Sequence, residues 1–171
     1  MKNTLDQNAP FRDLKGIEYF CFEEDFVEKN IRCIPMIVRF KMDAAGIKLK
    51  LSEWNCFSTK EKIKLATMPD DTIVTGDYHL YLANLIKKYT GQAATALLVD
   101  KDPEWNRLDN VPYGIRQKAE EFDWTISNVQ WRELTDLQRF ALLKLCRPGH
   151  ENKNFPKAMK EFNLTPENLL N

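Results

Sequence analysis

From Leu134 to Phe155 the chain reads LTDLQRFALLKLCRPGHENKNF, and no other stretch limits the possible folds as tightly. Its first half is apolar on nearly every side: Leu134, Leu137, Phe140, Ala141, Leu142, Leu143, Leu145 and Cys146, relieved by Gln138, Arg139 and Lys144. A helix that is apolar around its whole circumference belongs at the centre of a domain. Thr135 with Gln138 has the spacing of a capping box and marks where that helix opens. After Cys146 the composition changes abruptly. Arg147, Pro148 and Gly149 break the helix, and charged and amide residues continue to Asn154. A polar loop leaving the end of a core helix is a natural place for recognition.

The remainder of the chain carries the same periodicity in shorter pieces. Residues 1 to about 18 read as a flexible tail ahead of Tyr19, Phe20 and Phe22. Pro35 starts a helix that Gly46 ends. Alternation in Ile47-Lys48-Leu49-Lys50-Leu51 suggests a short extended piece, and Ser52 begins a turn holding Trp54. Ser58 and Glu61 form a second capping box, opening a helix that stops before Pro69. From about Thr72, Ile73, Tyr78, Tyr81, Leu82, Leu85, Ile86 and Tyr89 recur at spacings of three and four, an amphipathic helix ended by Gly91. Leu97 to Val99 either pair as a short strand or tuck under a loop. Pro112 opens a helix to about Phe122, and Asn154 with Pro156 opens the last one. The expected class is all-α, with residues 19–171 as a single helical domain.

Shifting the chain by 77 aligns Pro35 with Pro112, Arg39 with Arg116, Lys41 with Lys118, Trp54 with Trp131 and Leu65 with Leu142. The capping boxes align too, Ser58 and Glu61 falling on Thr135 and Gln138. Residues 34–85 and 111–162 are therefore candidate repeat units related by an approximate twofold, each a Pro-started helix, a Trp-bearing turn, a capped helix and an amphipathic helix.

Bulk composition removes several function classes. Lys+Arg and Asp+Glu are both 25, so no global field favours nucleic acid as a partner. No apolar run is long enough to span a bilayer, and Met1 to Leu14 lacks the apolar core of a signal peptide, so neither membrane nor export is expected. The expected compartment is the cytoplasm. Cys21, Cys33, Cys56 and Cys146 are widely spaced and form no Cys-x-x-Cys pair, which fits reduced thiols and no metal site. Cys146 and His150 are four apart, but Pro148 and Gly149 interrupt the helix between them. No Walker loop, dinucleotide fingerprint or Gly-x-Ser-x-Gly elbow is present. His79 reads as a surface or half-buried helix residue, and Glu23, Glu24 and Asp25 as a helix start or solvated face. No catalytic residue and no cofactor is assigned.

Two blocks carry a family likeness: FEEDFVEKNIRCIPMIVRFKMDAAGIKLKLSEW from Phe22 to Trp54, and LTDLQRFALLKLCRPGHENKNFPKAMKEF from Leu134 to Phe162. Together with Asp100 to Trp105 they resemble the nitrate reductase-associated protein family of cyanobacteria and other bacteria. The resemblance implies a cytoplasmic accessory of assimilatory nitrate reductase, a molybdenum enzyme, with no catalytic residue to carry over. The implied role is non-enzymatic, with nitrate reductase or its cofactor-insertion machinery as the protein partner. Arg32, Cys33, Pro35, Arg39, Arg147, Pro148, His150, Glu151, Asn152 and Asn154 match the motifs. Of these, Arg32, Arg39, Arg147, His150, Glu151, Asn152 and Asn154 are the candidate binding residues, either a partner surface or a polar network inside the protein. Two alternatives stand beside the accessory role. One is a small enzyme acting on the molybdenum cofactor or its delivery, with His150 and Glu151 as acid and base. The other is a helical interaction module with an unrelated partner.

Overall fold

The computed structural model describes residues 11–28, 33–149 and 152–166. Among them, ten α-helices and a single two-stranded sheet make the protein mainly helical, as its periodicity predicts. The chain forms two compact units. Unit 1 holds residues up to Tyr19 together with Glu23–Asp100, and unit 2 holds Phe20–Phe22 together with Lys101 onward.

Unit 1 comprises α1 (Glu24–Val27), α2 (Met36–Ala44), β1 (Ile47–Lys48), α3 (Leu51–Cys56), α4 (Thr59–Thr67), α5 (Asp71–Thr75), α6 (Asp77–Thr90) and β2 (Thr95–Ala96). Pro35 precedes α2 with the fixed φ that suits a helix start. Its side chain cannot cap, and the buried Glu23 carboxylate instead accepts from Met36 N–H at 2.7 Å. The acidic run at 23–25 is thus not simply a solvated face. Glu23 neutralises the α2 N-terminus, where an anion is favoured by the helix dipole. Lys41, also buried, does the reverse for α4, donating to Ala66 O at 2.9 Å and Met68 O at 2.6 Å. Such a cation satisfies the last carbonyls of a helix.

The predicted capping box at Ser58 and Glu61 is present in both directions. Exchanging such a cap for Ala typically costs ~1 kcal/mol. The amphipathic helix expected from about Thr72 is divided in two by Gly76, whose φ of +84° favours glycine. Gly46, at φ +68°, both ends α2 and lets the chain after β2 approach: a Cβ there would lie 2.8 Å from Val99 Cγ2 and 3.1 Å from Leu97 O. β1 and β2 pair antiparallel, Ile47 opposite Ala96. Leu97 N–H then donates to Gly46 O, but Leu97 to Val99 lie beyond the strand and are exposed, so the segment expected to pair as a strand or tuck under a loop does neither, and the pairing falls on Thr95 and Ala96 just before it.

The core of unit 1 includes Met36, Val38, Ile47, Trp54, Leu65, Tyr78, Leu82 and Ile86. Phe11 is buried as well, although the sequence places it in the tail. It packs against Tyr19 and Trp54, and its N–H donates to Glu28 Oε1 at 3.1 Å. Four buried polar atoms in this unit have no partner among the described residues: Tyr19 Oη, Glu28 Oε2, Trp54 Nε1 and Tyr78 Oη. Buried polar groups are normally satisfied, so each calls for a reason.

Unit 2 comprises α7 (Tyr113–Glu120), α8 (Asn128–Glu133), α9 (Asp136–Leu145) and α10 (Phe155–Glu161). α8 opens with a capping box at Ser127 and Gln130, and α9 with the predicted one at Thr135 and Gln138. α9 buries Leu137, Arg139, Phe140, Ala141, Leu142, Leu143 and Leu145, which is the all-round burial its composition requires. Around it lie Ile115, Ala119, Trp131, Phe155, Ala158 and Met159. Phe20, Phe22 and Phe162 form an aromatic cluster, and Glu161 accepts from Cys21 N–H at 2.7 Å and Phe22 N–H at 3.0 Å. The starts of α7, α8 and α9 at 113, 128 and 136 fall 77 positions after those of α2, α3 and α4 at 36, 51 and 59.

Candidate functional site

Arginine placement separates structural from available charge. Arg139 sits near the start of α9 and is buried. Its Nε donates to Trp105 O at 2.8 Å, its Nη1 to Leu134 O and its Nη2 to the Asp136 carboxylate. Trp131, over which Arg139 stands, donates its indole N–H to Arg107 O at 2.8 Å. The two side chains therefore tie the segment around the 3-10 turn Glu104–Asn106 to α8 and to the core helix α9. A planar guanidinium is suited to this because its donors fork towards several oxygens at once. Arg39, on α2 in unit 1, is half-buried and donates its Nε to Ile34 O at 2.8 Å. That bond closes the turn ahead of Pro35.

Arg147 differs from both. It follows directly on Cys146, the residue that caps α9, and is exposed. Cys146 is half-buried and its thiol is pushed up by burial, an effect that the Arg147 charge opposes. Glu104 and Lys118 also act on that thiol, so the charged groups of α7, of the 104–106 turn and of the loop start converge around it. A Cβ on Gly114 would lie 3.5 Å from Cys146 Sγ, so the start of α7 lies against the end of α9. Tyr113, next to Gly114, is 65 % exposed. One end of unit 2 thus presents an aromatic ring and a guanidinium on a rigid support. Nothing in the sequence paired Tyr113 with the loop, because its neighbourhood depends on how α7 packs on α9.

The other candidate residues are distributed as follows. Asn152 is half-buried, its N–H donating to Gly149 O at 3.3 Å. Asn154 is buried at the start of α10, so it faces the interior of unit 2. Arg32, His150 and Glu151 lie outside the described residues. Among the described residues no three His, Cys, Asp or Glu side chains gather as metal ligands would. His79 is occupied structurally, its Nδ1 hydrogen-bonded to Ala45 O at 2.8 Å.

A second polar cluster lies in unit 1. Glu61 receives hydrogen bonds from Lys88 Nζ at 2.8 Å, Tyr89 Oη at 2.7 Å and both donors of Ser58 at 2.8 Å. Burial acts to raise its pKa, but the bonds from Lys88, Tyr89 and Ser58 outweigh it and hold the carboxyl at about 2. A carboxylate held so firmly ionised is a poor general acid or base at neutral pH. It is a tether between α4 and α6.

The family model for conserved nitrate reductase-associated proteins matches residues 19–162. The chain belongs to that family. The match spans both units, from Tyr19 to Phe162, and includes the two sequence blocks and the segment that Arg139 and Trp131 hold. No curated protein and no solved structure matches the chain. No helix among the described residues is long and apolar enough to cross a membrane.

Proposed function

We propose that this nitrate reductase-associated protein is a non-enzymatic accessory of assimilatory nitrate reductase. In this reading it acts in the bacterial cytoplasm by binding the reductase, or the machinery that inserts its molybdenum cofactor, and assists maturation. The observation that carries the binding mode is the contrast among arginines. Arg39 and Arg139 make hydrogen bonds to main-chain carbonyls of their own units, whereas Arg147 stands exposed at the end of the most buried helix. Tyr113 lies at the same end. Tyrosine and arginine are the residue types enriched at interface hot spots, and a short loop on a fixed helix presents them without a large ordering cost.

The test is a deletion strain grown on nitrate and complemented with wild-type, Arg147→Ala or Tyr113→Ala protein. Loss of nitrate reductase activity on deletion, with the reductase polypeptide still made, supports the accessory role. Recovery of the reductase with tagged wild-type protein but not with the two variants supports the surface. A deletion strain with full activity ends the proposal.

A further inference from the structure

Phe11 is the buried end of a segment that otherwise lies on the surface of unit 1. Of residues 11–16 only Phe11 is buried, at 1 % exposure, while Arg12, Asp13, Lys15 and Gly16 are exposed. Its ring packs on Tyr19 at 6.4 Å and on Trp54 at 6.3 Å between ring centres. Two hydrogen bonds add to this, from Phe11 N–H at 3.1 Å and Arg12 N–H at 2.8 Å, and both end on Glu28 Oε1. The Arg12 guanidinium reaches Glu24 only at 3.9 Å and at the surface, where an ion pair contributes little. The chain then turns away, Leu14 N–H donating to Phe11 O, and Gly16 at φ +83° has open space around it. One buried ring and one carboxylate oxygen therefore carry most of the attachment.

The socket and its occupant differ in where they belong. Tyr19, Glu28 and Trp54 lie within the matched family region 19–162, and Phe11 lies before it. The family fold thus supplies the socket, and a segment outside that fold fills it. The filling is also chemically incomplete. Tyr19 Oη, Glu28 Oε2 and Trp54 Nε1, which have no partner among the described residues, belong to the three residues that Phe11 touches. A phenyl ring offers such groups no ordinary hydrogen bond, and buried polar atoms left so are costly. Closure by Phe11 gains from ring packing and does nothing for the polar atoms of its neighbours. A contact of this kind, with a single buried side chain behind it, belongs to the part of a protein that opens before the core does.

We propose that Tyr19, Glu28 and Trp54 form a docking socket for an extended segment of a partner protein that presents an aromatic side chain, and that Phe11 keeps the socket closed until such a segment displaces it. The chemistry of the incoming segment follows from that of the resident one. It needs a ring for Trp54 and Tyr19, and then two consecutive N–H groups for the Glu28 carboxylate. The socket lies in unit 1 and stands whether or not the Arg147 surface binds a partner.

Two measurements on the full-length chain provide the test. The first is native-state amide exchange of the wild type. The Phe11 and Arg12 amides are expected to exchange at least ~100-fold faster than the slowest amides of α2 and α6. Exchange as slow as in those helices means that the segment opens only with the rest of unit 1, and overturns the proposal. The second uses ¹⁵N-labelled Phe11→Ala protein and an acetylated peptide of residues 11–18, FRDLKGIE. The Trp54 indole resonance, assigned through Trp54→Phe, is expected to shift saturably with this peptide and not with its Phe11→Ala version. In the wild type the tethered Phe11 competes at an effective concentration on the order of 1 mM, so the same peptide should shift that resonance far less. A folded Phe11→Ala protein that ignores the peptide, or responds equally to both versions, overturns the socket. A wild-type dimer that Phe11→Ala dissociates makes a second copy the occupant and overturns the assignment to a partner protein. If Phe11→Ala does not fold, amide exchange of the wild type decides on its own.

Discussion

Unit 2 closes main chain over its tryptophan and cation, while unit 1 leaves the corresponding pair, Trp54 and Lys62, without oxygen partners among the described residues. The difference shows what a buried cation can do in a helical protein. Arg139 is a fastener: it draws carbonyls from residues 105 and 134 onto the start of α9, and its charge is met by Asp136. Lys62, at the equivalent place on α4, covers an aromatic face but fastens nothing among the described residues. The two pairs should therefore respond to mutation to different degrees. Removing a satisfied buried group strands its partners, whereas removing an unsatisfied one strands nothing.

The largest effect is expected at Arg139. Arg139→Met keeps much of the side-chain volume but leaves Trp105 O and Leu134 O without their donor and Asp136 without its cation. Breaking a buried charge network in this way is expected to cost ~3–5 kcal/mol. Urea unfolding of the purified variant measures it, and a loss below ~1 kcal/mol would mean that water replaces the guanidinium without difficulty. Trp131→Phe removes the indole N–H with its bond to Arg107 O and also leaves a cavity where the larger ring packed, with ~1–3 kcal/mol expected from the lost bond on top of the cavity cost. Trp54→Phe makes the same chemical change where no bond exists. It leaves a similar cavity but loses no hydrogen bond, so it should cost ~1–3 kcal/mol less than Trp131→Phe. Equal losses at the two tryptophans would break the comparison.

A smaller effect, with a pH signature, is expected at Glu61. Its carboxyl titrates at about 2 in the folded chain against an ordinary 4.5, so the folded form is the stronger acid. A depressed carboxyl stabilises the fold fully above its unfolded pKa, and that contribution fades as the pH falls through the folded value. Glu61→Gln keeps the capping-box spacing, as Gln138 does in α9, and loses the charge opposite Lys88. The expected deficit near pH 7 is on the order of 1 kcal/mol after solvent screening. Guanidinium unfolding at stepped pH should show the deficit vanish between about pH 4.5 and pH 2. A deficit that is flat over that window would assign the effect to capping and not to charge.

What the sequence revealed about the fold was set by how local the governing chemistry is. The boxes at Ser58 and Thr135 join residues three apart, so they were readable, as were the prolines ahead of α2 and α7 and the all-round apolarity of α9. The division at Gly76 was not readable, because the apolar spacing continues across it from Ile73 to Tyr78. Nor was the capping of α2 by Glu23, or the anchoring of Phe11 by Glu28, since those bonds span 13 and 17 residues. In the candidate site, the exposed Arg147 was legible from the sharp change of composition after Cys146. The inward placement of Asn154 was not, because a polar residue beside a helix start looks the same whether it faces solvent or core. The offset of 77 was legible as matched caps and prolines and recurs in the helix starts. On that basis we propose that residues 34–85 and 111–162 are copies of one ancestral unit. Sets of inter-helix distances, measured by cross-linking or paired spin labels, that differ between the two segments would end that idea.

The smallest effect on stability is expected at Arg147, and there the comparison of units turns on function. Arg139 and Arg147 are two turns apart in sequence, one buried inside a network and the other exposed beyond the helix end. Replacement of an exposed side chain with no buried bond to lose should change stability by no more than ~0.5 kcal/mol. Arg147→Ala should therefore melt with the wild type, far above Arg139→Met, and should release the Cys146 thiol from a neighbouring positive charge that opposes its burial. The thiol of the variant should then ionise at higher pH and react more slowly with a thiol reagent near pH 8, because the thiolate is the reactive form. In cells the same variant should fail to restore nitrate reductase activity to a deletion strain, with protein levels unchanged. A variant that melts early would place Arg147 in an internal network and remove it from any partner surface. Wild-type melting and wild-type reductase activity together would leave the exposed guanidinium without a role in binding the reductase.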